Sequence, residues 1–143
     1  MDGSVQANPW WYRLLIHTDA SLSDGIVGIG YTIRANERTH ENATFIEGEN
    51  YTSMDGEFLA LKQAAEVVAE FFETGQHVFF YTDCQALSEK LQNPESSKWA
   101  ERKERLSELL KGNWSVNWIP RERNNKADEL AHVGRRRGTS QHA

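Results

Sequence analysis

The sequence predicts an α/β domain built on a five-stranded mixed sheet, three antiparallel strands followed by parallel ones, with helices on both faces. Three observations carry that expectation. Residues 13–34 gather β-branched and aromatic side chains on either side of "LSD", a hairpin signal. From Gly56 the spacing becomes helical, with Phe58, Leu61, Ala65, Val68 and Phe72 on one face. The run "HVFFYTD", 77–83, is then almost wholly apolar, as expected of a strand covered on both faces.

The elements follow in order. Arg13 to Ser21 and Gly25 to Arg34 read as the first two strands, and "NATFIEGENYT" as a third that completes an antiparallel meander. The first long helix closes at Gly75. After the strand at 77–83 a short helix runs to about Gln92 and is broken by "NPESS". "KWAERKERLSELLK", 98–111, is amphipathic, with Leu106, Leu109 and Leu110 on its apolar side. "WSVNWIP" supplies the fifth strand, and a last helix is expected from Lys126 to about Gly134. Strands separated by helices pair in parallel through crossovers. The expected organisation is therefore one domain over 9–134, with flexible ends at 1–8 and 135–143.

Composition narrows the function classes. A chain of 143 residues with 26% charged and 38% hydrophobic side chains suits a soluble domain with a real core. No apolar run approaches the ~20 residues that cross a bilayer. "MDGSVQANPWW" lacks the basic start and apolar stretch of a signal peptide. One cysteine excludes an internal disulfide and a cysteine-based zinc site, so an intracellular, cytoplasmic location is expected, and separately a monomer. The formal charge of −5 argues against a nucleic-acid partner until its distribution is read. Residues 114–143 carry six Lys and Arg against three acids, a balance of +3, and leave −8 on the rest.

Four acids stand at element ends. Asp19 falls at the exit of the first strand, inside an apolar run. Glu57 opens the first long helix, Asp83 ends the strand "FFYTD", and Asp128 lies in the first turn of the last helix. Glu57, Asp83 and Asp128 taken singly read as helix caps or dipole partners. Together they would repel, two charges at ~4 Å by roughly 4 kcal/mol at an effective dielectric of 20. Hard divalent cations resolve that repulsion, and an oxygen-only donor set favours Mg²⁺ or Mn²⁺ over zinc. His17 shares a strand face with Asp19 and reads as a core residue. His132, one turn after Asp128, is in reach of the site but reads first as a surface residue.

On "IHTDAS", "TSMDGEFLAL", "YTDCQAL" and "NNKADELA", the sequence resembles the type 1 ribonuclease H family over about residues 12–137. The resemblance implies a ribonuclease H-like fold and metal-dependent endonucleolytic hydrolysis of the RNA strand of RNA–DNA hybrids. It implies catalytic, metal-binding roles for Asp19, Glu57, Asp83 and Asp128, with two Mg²⁺ ions per site. Asp19, Glu57 and Asp83 would hold one ion, and Asp19 with Asp128 the ion that activates water. Ser53 and Gln85 match positions that touch the hybrid near the cut, beside the backbone of Met54. The sequence departs from the family at Ala20, where glycine is usual, and lacks the basic protrusion, as short archaeal and bacterial members do. The loop between Trp118 and Asp128 carries Arg121 and Arg123 where many members have a histidine, and these are expected to bind substrate. The alternatives are a non-catalytic hybrid-binding module and a nuclease of the same fold acting on DNA.

Overall fold

The computed structural model describes residues 13–72 and 76–141. The elements are β1 (Leu14–Ser23), β2 (Ile26–Ala35), β3 (Arg38–Glu47), α1 (Ser53–Phe71), β4 (Val78–Thr82), α2 (Gln85–Gln92), α3 (Ser97–Leu110), β5 (Trp114–Trp118) and α4 (Asn125–Ser140). The sheet order is β3-β2-β1-β4-β5, with β1, β2 and β3 antiparallel and β4 and β5 parallel to β1. The mixed sheet is as the sequence predicts. Expected flexibility at 1–8, and Gly75 as the end of the first helix, lie outside the described residues. Among the described residues no helix is long and apolar enough to cross a membrane.

The first hairpin turns later than "LSD" suggests. Ser23 still pairs with Ile26, and the loop is Asp24-Gly25, both at positive φ (49° and 77°). Two left-handed residues give the turn whose twist matches that of the flanking strands, and Asp-Gly is its preferred sequence. The third strand starts at Arg38, ahead of the expected Asn42, because Asn36 at φ 57° already reverses the chain there. Helix α1 begins before Gly56: the Thr52 hydroxyl accepts from Asp55 N–H, and Asp55 accepts from Thr52 N–H, a reciprocal cap. Asp55 also meets Arg102 at 2.9 Å and Lys98 at 3.2 Å, fastening the start of α1 to α3.

Period two splits the sheet between two layers. Leu14 and Ile16 of β1, Val27, Ile29 and Ile33 of β2, and Phe80 of β4 are buried in one core with Phe58, Leu61 and Val68 of α1. Trp99 and Leu106 of α3 join it, with Trp99 edge-on to Phe58 at 5.9 Å. The opposite face of β2 carries Gly28 and Gly30, and α4 lies on them through Ala127 and Ala131, while its Gly134 and Gly138 press on Thr44 and on Ile26 and Phe45. Backbone meets backbone along this seam. A methyl group at Gly30 would run into Ala127 and Ala131, and one at Gly134 into the Thr44 carbonyl.

That seam corrects the expected end of the last helix. The segment from 135 was expected to be loose, yet α4 continues through all three arginines to Ser140. Gly138 packs on Ile26 and Phe45, and Arg137 Nη1 donates to the Ala43 carbonyl at 2.7 Å. Burial against the sheet outweighs the poor helix propensity of two glycines. Gly134→Ala gives a test with a diagnostic sign. An exposed helix would gain roughly 1 kcal/mol from it, whereas here overpacking should cost about 1–3 kcal/mol in chemical denaturation.

Candidate active site

Strand β1 pairs with β4 only from Leu14 to His17, while its pairing with β2 continues to Ser23. Asp19 is therefore mid-strand, not at the strand's exit, and stands two residues past its last β4 neighbour. The gap so opened receives Asp83, the first residue after β4. Asp19 is 5% exposed. Glu57 sits in the second turn of α1, where the Thr52–Asp55 cap leaves it no capping task. Asp83 caps nothing either, since the cap position of α2 is Cys84 and the helix has no side-chain cap. Asp128 enters from the first turn of α4, held down by the glycine seam.

The four carboxylates act on one another. Burial first, then the Asp83 charge and a hydrogen bond with Asp128, raise the Asp19 carboxyl far above the usual carboxylate range. Glu57 is raised further, by burial and then by the charges of Asp19 and Asp83. Burial raises Asp83 as well, against a hydrogen bond from Asn124 and the Arg121 charge, which lower it. The buried Glu57 Oε1 has no hydrogen-bond partner. Among the described residues no group of three or more His, Cys, Asp and Glu side chains is arranged to hold a metal ion. The donor chemistry nevertheless fits a divalent cation. All four groups offer oxygen, and like charges with an orphaned buried oxygen are what a cation would relieve.

The remaining expected residues divide. Ser53 and Gln85 are exposed first residues of α1 and α2, and a Met54–Cys84 sulfur contact at 3.9 Å brings those helix starts together. Gln85 bonds Glu89 at 3.2 Å. Arg121 and Arg123 form a 3₁₀ turn before α4, and Arg121 places its charge on Asp83. Arg123 lines a separate pocket with His17.

Three residues escaped the sequence reading. Asn124, 1% exposed, donates to the Thr18 carbonyl at 2.9 Å and also bonds Asp83, tying β1 to the end of β4. An Asn before a helix reads as a cap, yet this one makes no capping bond. His132 is not a free surface group: its Nε2 lies 3.4 Å from Asp128 Oδ1, and its Nδ1 3.2 Å from Ser21 Oγ. His17 is half-buried outside the apolar core, stacked on Tyr81 at 5.0 Å.

A family model described as reverse transcriptase-like matches residues 17–134. No curated protein sequence matches the chain. Among solved structures, the RNase H1 of the halophilic archaeon Halobacterium salinarum NRC-1 is 23% identical, with TM-score 0.72 over 85% of this chain and 96% of its own. LC11-RNase H1, solved in complex with an RNA/DNA hybrid, is 22% identical with TM-score 0.75, covering 88% and 99%. The protease-reverse transcriptase of prototype foamy virus matches 92% of this chain with 22% of its own length, at 18% identity and TM-score 0.65. Matched through nearly all of its sheet and helices, the chain belongs to the reverse transcriptase-like family, on the type 1 ribonuclease H fold.

Proposed function

We propose that the chain is a ribonuclease H, cutting the RNA strand of RNA–DNA hybrids internally, as a monomer of the cytoplasm. The observation that carries this reading is the meeting of Asp19, Glu57, Asp83 and Asp128, from four separate elements, which raises the carboxyl groups of Asp19, Glu57 and Asp83. A structure so expensive in charge repulsion is expected where cations and a polyanion complete it. The hybrid-bound neighbour of the same fold supports the choice of substrate.

Asp19, Glu57 and Asp83 would hold one Mg²⁺ or Mn²⁺, and Asp19 with Asp128 a second. Bound divalent cations supply a more acidic water and stabilise the charge on the leaving oxygen. The chain's own residues do the rest. Asn124 fixes the direction of Asp83, and the Ser21–His132 pair fixes that of Asp128. Arg121, with its planar fork of donors, grips a phosphate oxygen. Arg123 binds substrate farther from Asp83. Ser53 and Gln85, at paired helix starts, hydrogen-bond to the sugars that distinguish RNA from DNA.

The test is a panel of end-labelled substrates with Mg²⁺ or Mn²⁺: hybrid, double-stranded RNA and double-stranded DNA. Internal cuts in the RNA strand of the hybrid alone are expected. Cutting of duplex DNA would make this a DNA nuclease, and hybrid binding without any cutting would make it a recognition module.

A further inference from the structure

Helix α4 covers only part of its sheet face. Past its N-terminus a pocket of about 240 Å³ opens, lined by His17 of β1, Thr32 and Arg34 of β2, Thr39 and Glu41 of β3, and Arg123, Asn124 and Lys126. At roughly 30 Å³ per water, that is room for a phosphate group and several waters. Its charge is unlike that of the chain. Three cations face one carboxylate in a protein of net charge −5. Glu41 is matched by Lys126 at 3.6 Å, while Arg34 and Arg123 have no ion-pair partner among the described residues. The first turn of α4, which has no side-chain cap, adds unpaired N–H groups and the positive end of its dipole.

The pocket also adjoins the candidate active site. His17 and Asp19 lie on one strand face two residues apart, about 7 Å. Asn124 is a shared wall, lining the pocket while bonding Asp83. We propose that this pocket, with Arg34 as its central cation, binds a backbone phosphate of the nucleic-acid strand where it runs on from the site. The inference rests on the proposed function for the identity of that strand. His17, stacked on Tyr81, lines the pocket, and the Thr32 and Thr39 hydroxyls supply neutral donors beside the two arginines.

The experiment measures hybrid binding by fluorescence anisotropy in EDTA, where no strand is cut, across a salt series. Wild type, Arg34→Gln and Arg34→Lys are compared, each with its melting temperature. Loss of one phosphate contact should flatten the slope of log Kd against log salt by roughly 0.9 for Arg34→Gln, and Arg34→Lys should restore it. In parallel, hybrid should shift the His17 ring signals in the NMR spectrum, and inorganic phosphate alone at equal concentration should not. An unchanged slope in Arg34→Gln overturns the pocket while leaving the proposed function standing. Response to inorganic phosphate but not to hybrid assigns the pocket to a free anion and overturns the proposal. A wild type that binds no hybrid overturns the proposed function, and the strand assignment with it.

Discussion

Asp83→Asn should lower kcat on an RNA–DNA hybrid by about a hundredfold to ten-thousandfold and leave the fold intact. Removing a charge that stabilises the transition state forfeits several kcal/mol, and each 1.36 kcal/mol is about a factor of ten. The fold survives because the amide keeps the shape of the acid and can still accept from Asn124, the bond that ties this residue to β1. Stability should even rise without metal, since burial and the Asp128 charge both disfavour an ionised Asp83. A gain of 1 kcal/mol would lift Tm by roughly 4 °C in a domain of this size. Single-turnover cleavage and melting in EDTA check the two halves. Near-normal turnover would remove Asp83, and the site built around it, from consideration.

The second large effect is on stability against pH. Asp19 and Glu57 have folded-state values above their unfolded ones. The folded protein then binds more protons than the unfolded, so stability falls as pH rises. Their contribution is fully present below the unfolded carboxylate range near pH 4 and is lost as pH climbs through the raised folded values. Asp55 has the opposite sign. The Thr52 backbone N–H, with Arg102 and Lys98, holds it well below the usual range, so its contribution exists above that range and is lost on acidification. Metal-free protein should therefore melt highest in mild acid. Saturating Mg²⁺ favours the ionised carboxylates and should erase the decline toward neutrality, adding about 2.7 kcal/mol at a hundred times its Kd. Calorimetric scans with EDTA or Mg²⁺ measure this. A metal-free Tm that is flat over roughly pH 5 to 8 would mean that the cluster carries no such strain.

What the sequence made legible was periodic or terminal. Helical spacing from Phe58 to Val68 and the apolar run into Asp83 placed two carboxylates on their elements, because burial writes period into sequence. Thr52 and Asp55 were legible too, as a capping box, and reading the helix from Gly56 missed a signal that was present. The end of α4 was not legible. Gly134 and Gly138 announce a stop by propensity, and only the facing Thr44, Ile26 and Phe45, about a hundred residues earlier, make them the right residues for a helix pressed on a sheet. Asn124 shares that limit, because its role depends on Thr18, a partner that no local window contains, whereas the His132–Asp128 pair lies within one helical turn.

The glycine seam also sets how precisely Asp128 is aimed. Helix α4 is a rod, and ten residues at 1.5 Å each put Gly138 about 15 Å from Asp128. With the pivot where Gly134 rests on Thr44, about 9 Å from Asp128, a wedge at the far end that tilts the rod by roughly six degrees swings the carboxylate by about 1 Å, an error that can cost a hundredfold in rate. The seam works as a lever with its fulcrum in the sheet. A methyl group added at Gly138, against Ile26 and Phe45, would be felt at the chemistry without touching it.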